Sequence, residues 1–143
     1  MLVTAGNQER GYNTMTASWG GLGILWRKPV SFVFIRPTRY TYDFTEREEY
    51  YSLCFFSEEY RDALRLCGTV SGRDRDKITE AGLTLRYDAE APYFDEAETV
   101  MICRKMAAQD IDPAGFIDPA VEDCYNNDYH RVYTGEIIRV LTR

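Results

Sequence analysis

Val30-Ser31-Phe32-Val33-Phe34-Ile35-Arg36-Pro37-Thr38-Arg39-Tyr40-Thr41 is the stretch on which the reading of this chain turns. Val30, Phe32 and Phe34 alternate with Ser31, Val33 and Ile35, so an extended segment over Val30–Arg36 has two largely apolar faces. That pattern belongs to a strand covered on both sides, as in a barrel or sandwich. Pro37 disfavours helical geometry at Arg36, so the strand ends there and the chain turns into a short helix over Arg39–Glu48. The first turn of such a helix presents N–H groups without intrahelical partners and the positive end of a dipole, both attractive to anions. Thr38 and Thr41 add hydroxyls, and Arg36 and Arg39 add forked donors suited to phosphate oxygens. Taken alone, the same residues also read as a capped helix with two solvated arginines.

On either side of this stretch the chain reads as strands broken by short helices. Strands are expected at Leu2–Ala5, ending at the Gly6-Asn7 turn signal, and at Thr14–Trp19, which runs into Gly20-Gly21-Leu22-Gly23. Tyr50–Phe56, Thr99–Gln109 and Arg131–Leu141 follow, the last interrupted by Gly135. Glu58–Cys67 reads as a helix with Tyr60, Ala63, Leu64 and Cys67 on one face. Asp74–Ala81 reads as another, with Asp74 as N-cap and Gly82 as its stop. Pro113 and Pro119 bracket a loop with short helical turns. No repeat or linker divides residues 1–143, so a single domain is expected. Several strands with short helices and no regular βαβ alternation predict a mainly β fold, a barrel with attached helices.

Composition narrows the function classes. The 143 residues are 45% hydrophobic and 28% charged, and a chain of this length buries enough surface to fold without disulfides or metal. No apolar run approaches the roughly 20 residues that span a bilayer, and Met1–Ala5 lacks the features of a signal peptide. The net charge of −6 argues against nucleic acid as a partner. A soluble, cytoplasmic chain with no membrane partner is expected. Cys54, Cys67, Cys103 and Cys124 form no CxxC pair and His130 is the only histidine, so no metal site is expected. The thiols read as buried and reduced. The 11 tyrosines suit interfaces and flat ligands, and equally an aromatic-rich β core.

Two further segments repeat the theme of hydroxyls, glycines and cations. In Ser71-Gly72-Arg73-Asp74-Arg75-Asp76-Lys77, Ser71 and Gly72 allow a tight loop with inward amides, and Arg73 and Lys77 flank a helix start. Asp74 and Asp76 also suit plain capping and charge pairing. In Asn13-Thr14-Met15-Thr16-Ala17-Ser18-Trp19-Gly20, alternation puts Thr14, Thr16 and Ser18 on one face and Met15, Ala17 and Trp19 on the other. Such a face can hydrogen-bond the edge of a flat heterocycle, or be an ordinary amphipathic strand. Neither a Walker loop nor a GxGxxG is present.

Asn13–Gly21, Lys28-Pro29, Arg36–Thr41 and Ser71–Lys77, followed by Asp128-Tyr129-His130-Arg131-Val132-Tyr133-Thr134-Gly135-Glu136, together resemble the flavin reductase-like family, and within it the small flavoredoxin-type proteins. The resemblance runs in register over nearly the whole chain. It implies a six-stranded split β-barrel that forms a homodimer and binds one FMN per subunit near the dimer interface. It implies that Asn13, Thr14, Met15, Thr16, Ser18 and Trp19 line the isoalloxazine, and that Arg36, Thr38, Arg39 and Thr41 hold the ribityl phosphate region. Ser71, Gly72, Arg73 and Lys77 would complete the pocket, and His130 and Tyr133 would approach the nicotinamide or substrate side. Family members usually begin with residues ahead of the first strand, so the chain is expected to lack an N-terminal segment.

The implied activity is hydride transfer from NAD(P)H to flavin, with electrons passed on to free flavin or an acceptor protein. The cofactor carries that chemistry, so no side-chain acid, base or nucleophile is obligatory. Two other readings remain: a flavoredoxin-like electron carrier that does not use NAD(P)H, and a split-barrel binding protein without flavin.

Overall fold

In the computed structural model, which describes all residues from Met1 to Arg143, nine strands and three α-helices account for most of the chain. In chain order these are β1 (Leu2–Asn7), β2 (Gly11–Thr16), β3 (Gly20–Leu25), β4 (Lys28–Ile35), α1 (Tyr40–Arg47), β5 (Tyr50–Phe55), α2 (Arg61–Thr69), α3 (Lys77–Glu80), β6 (Leu85–Arg86), β7 (Tyr93–Phe94), β8 (Thr99–Asp110) and β9 (Arg131–Thr142). Seven strands make one antiparallel sheet in the order β2-β1-β5-β8-β9-β4-β3, and β6 and β7 pair separately as a small hairpin.

The alternation of side chains builds two cores on the two faces of this sheet. Val3, Met15, Val33, Leu53, Cys103 and Tyr133 share one core with Phe44 of α1. Met15 on β2 and Val33 on β4 are far apart in strand order, so the sheet must curl to bring them together, and this core is the barrel interior. The sheet's two edges, β2 and β3, do not pair with each other; the barrel is split there, bridged by Ala17-Ser18-Trp19, with the Ala17 N–H donating to the Met1 carbonyl at 3.1 Å. On the outer face Leu2, Cys54, Val100 and Ile102 pack against Cys67 of α2, Ile78 of α3 and Phe94 of β7. Strands buried on both faces read as near-continuous apolar runs, which is why β4 and β5 are so evident in the sequence.

The fold class is the expected one, a mainly β split barrel with short helices, but the sheet has seven strands rather than six. The glycine run Gly20–Gly23 belongs to an edge strand, β3, paired along its length with β4. The Trp26-Arg27 turn that joins them has positive φ at both residues, 50° and 60°, the geometry whose twist suits a two-residue hairpin. Thr14–Trp19 is not one strand: β2 begins earlier, at Gly11, and stops at Thr16. The helix expected over Asp74–Ala81 shrinks to the single turn of α3, capped not by Asp74 but by Asp76, which accepts from the Thr79 N–H. Gly135 does not interrupt β9. A Cβ there would lie 2.3 Å from the Tyr51 hydroxyl, so this glycine lets a buried tyrosine cross under the strand. Cys54, Cys67 and Cys103 are buried as expected, whereas Cys124 is exposed, because it closes a 3-10 turn in the loop before β9. No helix is long and apolar enough to cross a membrane.

Candidate functional site

Two clefts meet at the split. The larger, about 380 Å³, lies between β2 (Asn13, Met15), the start of α1 (Thr38–Thr41), the end of α2 (Gly68–Val70), the loop that carries Ser71 and Arg73, and Lys77 at the start of α3. The smaller, about 170 Å³, lies between Thr16–Trp19, Phe34, Arg36 and His130. Met15 and Arg39 line both, so the two are lobes of one groove.

The first lobe is built for negative charge. Pro37 and the extended Arg39 set the start of α1, where the Tyr40 and Thr41 N–H groups have no partner within the protein. Arg39 donates to the Gly68 carbonyl at 3.2 Å. The Lys77 ammonium donates to the Cys67 and Val70 carbonyls, each at 3.0 Å. The negative end of α2 thus holds both cations in place. No ion pair in the protein involves either of them. Burial, and then the neighbouring Arg36, lower the Arg39 pKa from its ordinary value; burial lowers that of Lys77 to about 8. Arg73 is different: it is exposed, pairs with Asp43 at 3.1 Å and stacks on the Tyr40 ring at 4.6 Å. Asn13 Nδ2 donates to Thr41 Oγ1 at 2.8 Å and ties β2 to α1.

The second lobe is aromatic. The Trp19 ring lies 5.2 Å from His130, and Phe34 and Tyr125 pack around the same imidazole. His130 Nδ1 is 2.7 Å from the Tyr125 hydroxyl. Burial foremost, then the nearby Arg36, lower the His130 pKa, with Asp128 opposing. Arg36 donates to Asp128 at 2.7 Å and to the Cys124 carbonyl at 2.9 Å, and stacks on Tyr125. It therefore pins the loop before β9 against the lobe.

Of the residues singled out in the sequence, Asn13, Met15, Thr38, Arg39, Thr41, Ser71, Arg73 and Lys77 line the first lobe, and Thr16, Ser18, Trp19, Arg36 and His130 the second. Arg36 stands at the aromatic end, not with Thr38 and Thr41, because it is the last outward position before the Pro37 turn. Thr16 donates to the Leu64 carbonyl, so its hydroxyl is spent on α2. Gly72 sits behind the lobe, where a Cβ would lie 2.1 Å from Asn13 Oδ1. Thr14 does not reach the groove: it is fully buried on the outer face, 2.8 Å from the Thr4 hydroxyl. Tyr133 does not reach it either, since strand parity turns it into the barrel, where its hydroxyl donates to Glu46 at 2.6 Å. Sequence reasoning missed the α2 carbonyls, which carry no side-chain signal, and Tyr125, whose place against Arg36 and His130 is set by the loop's path.

The chain matches the family described as "Flavin reductase like domain" over residues 1–143. It belongs to the flavin reductase-like family. Among solved structures, the flavoredoxin of Desulfovibrio vulgaris (Miyazaki F) superposes with a TM-score of 0.76 at 23% identity, over 99% of this chain and 68% of that one. An FMN-binding protein from Thermus thermophilus, with bound 1-cyclohex-2-enone, gives 0.73 at 20% identity, over 99% and 68%. Component B of nitrilotriacetate monooxygenase from Bacillus cereus gives 0.76 at 17% identity, over 99% and 67%. At these identities the likeness is one of fold. No curated protein matches the sequence.

Proposed function

We propose that this flavin reductase-like chain binds FMN along the two-lobed groove and uses it to take electrons from NAD(P)H. The observation that carries the reading is the asymmetry of the groove: uncompensated Arg39 and Lys77 at one end, Trp19 and His130 at the other. A chain of net charge −6 that leaves two cations of one cleft outside every ion pair is arranged for an anion. The residues present fit FMN, whose phosphate and flat ring are joined by a polyol. Arg39, Lys77 and the Tyr40 and Thr41 amides would take the phosphate. Trp19, Ser18 and His130 would border the ring, and Met15 the stretch between.

When bound, FMN supplies the redox chemistry, accepting hydride at its ring and releasing electrons to an acceptor. The chain's part is to hold and expose it. Trp19 is 49% exposed, so the ring lobe opens to solvent on the side where a donor would arrive. His130, kept towards its neutral form by burial, borders that lobe without adding a second charge.

A homodimer is part of the same proposal. Leu22, Ile24 and Trp26 of the β3 hairpin are exposed at an unpaired sheet edge. A cleft of about 260 Å³ lined by Met1, Leu22, Leu53 and Phe55 adjoins the ring lobe through Ala17 and Ser18. An apolar strand edge of this kind calls for a cover.

The deciding experiment is an anaerobic absorbance spectrum of the FMN-loaded protein before and after NADH or NADPH. Rapid bleaching of the flavin bands by either nucleotide supports the reductase. Flavin that stays oxidised until dithionite is added would replace that reading with an electron carrier.

A further inference from the structure

We propose that Tyr125 is a positioning residue for the second lobe: its hydroxyl donates to His130 Nδ1 and fixes the one imidazole proton on Nε2, so that the lobe holds a flat ligand by a carbonyl oxygen. The inference deepens the FMN reading above, since the flavin ring carries carbonyl oxygens at its edge. The place of the proton on the histidine is a property of the chain alone.

Tyr125 stands outside the sheet. Between β8 and β9 the chain makes two 3-10 turns, Pro113–Gly115 and Pro119–Cys124. Each is opened by an aspartate that accepts from a backbone N–H, Asp112 from Ala114 and Asp118 from Ala120. Tyr125 follows the second turn. Its ring stacks on Phe116 at 6.1 Å and 16°, lies 5.0 Å from Tyr129, and carries the Arg36 guanidinium over it at 4.9 Å. Its hydroxyl is left with one partner in the protein, His130 Nδ1 at 2.7 Å.

The length and the surroundings of that hydrogen bond choose its direction. Burial, and then Arg36, lower the His130 pKa, so the imidazole is neutral above neutral pH and has a single N–H. With the proton on Nδ1, the bond would be N–H···O, ordinarily about 2.9–3.0 Å, and the phenolic proton would have no acceptor in the protein. With the proton on Nε2, the phenol donates, and hydroxyl donors sit closer, at about 2.7–2.8 Å. The observed 2.7 Å fits the second arrangement, which also satisfies both groups.

His130 Nε2 then carries the proton and has no partner within the protein. It is not sealed off: the one fully buried side-chain nitrogen or oxygen without a partner is Arg131 Nε, and His130 lines the second lobe. Trp19, Phe34 and Tyr125 pack around the imidazole and hold its plane. A fixed N–H opening on the lobe favours a ligand edge that offers an oxygen acceptor and disfavours one that presents its own N–H.

The test begins without a ligand. His130 is the only histidine, so protein with labelled histidine nitrogens gives a single imidazole in the NMR spectrum. Above the imidazole pKa, the expected result is a pyridine-type shift at Nδ1 and a pyrrole-type shift at Nε2. Tyr125→Phe keeps the ring against Phe116 and Arg36, and should draw the two shifts together as the tautomers interchange. The same variant should weaken FMN and riboflavin (the same ring without the phosphate) alike, by about two- to tenfold, the worth of one neutral hydrogen bond. On adding FMN to the unaltered protein, the Nε2 proton should move downfield. A protonated Nδ1 with a bare Nε2 overturns the inference, as does an unchanged histidine spectrum in Tyr125→Phe or a loss of affinity confined to FMN. If neither flavin binds, the proposed function fails, and the inference is decided with nicotinamide, which offers one carbonyl oxygen on a flat ring. A downfield shift of the Nε2 proton then upholds it, and an unmoved proton overturns it.

Discussion

Replacing Arg39 with alanine separates an anion site from a decorated surface. Arg39 is half-buried, lines both lobes, has no carboxylate partner, and donates only to the Gly68 carbonyl. A charge-assisted hydrogen bond from such a group to phosphate contributes about 1.5–3 kcal/mol, so Arg39→Ala should weaken FMN binding by roughly 10- to 150-fold. Arg73 lies on the same lobe but is exposed and already paired with Asp43. A solvated pair of that kind is worth about 0–1 kcal/mol, so Arg73→Ala should cost no more than about fivefold. The protein itself should barely notice the loss of Arg39. The Gly68 hydrogen bond is lost, but so is the repulsion from Arg36, and the two effects oppose. FMN affinity by flavin fluorescence at fixed ionic strength, read beside riboflavin affinity and thermal melting, measures all of this. Equal FMN affinity in Arg39→Ala and the unaltered protein would refute the reasoning, as would a larger loss in Arg73→Ala.

Gly135→Ala places a methyl 2.3 Å from the hydroxyl of fully buried Tyr51, which is bonded to Ser31 at 2.8 Å. Overpacking plus the lost hydrogen bond should destabilise the fold by about 2–4 kcal/mol in urea unfolding; a loss below about 1 kcal/mol would contradict the close crossing of β5 and β9. Because the fold lowers the His130 pKa below its ordinary 6.5, the unfolded chain binds more protons there. Stability should therefore drop as pH falls through 6.5 towards the folded value. His130→Gln should remove that part of the slope between pH 7 and 5, and an unchanged slope would count against a buried neutral imidazole. Glutamate at both Leu22 and Ile24 should convert the proposed dimer to a monomer in light scattering; a monomeric parent protein at micromolar concentration would sink the dimer itself.

What was legible in the sequence follows physical lines. β4 and β5 bury both faces, so their apolar runs announce them, and Pro37 marks the turn into α1. β3 was invisible because an exposed edge strand of glycines has no face to pattern; only its backbone pairing with β4 defines it. Asp74 and Asp76 are equivalent caps on paper, and the choice falls to Asp76 because Lys77, next in the chain, is drawn under the α2 carbonyls. The same event buries Lys77, which the sequence placed only beside a helix start. Thr14 and Thr16 do share a face, as alternation required, but that face meets the outer layer, where Thr16 bonds α2. The helix after Pro37 forms within one residue of its expected Arg39–Glu48 bounds, while Arg36 parts from Thr38 and Thr41. The joining of that helix start to the aromatic lobe through Met15 and Arg39 depends on the curl of the whole sheet.

The central claim, one groove with a phosphate end and a ring end, is tested most directly by titrating the purified protein with FMN while following flavin fluorescence and absorbance, with riboflavin in parallel. Saturable binding of one FMN per chain, at least tenfold tighter than riboflavin at neutral pH, is the predicted result. Equal affinity for the two, or no binding of either, would contradict it.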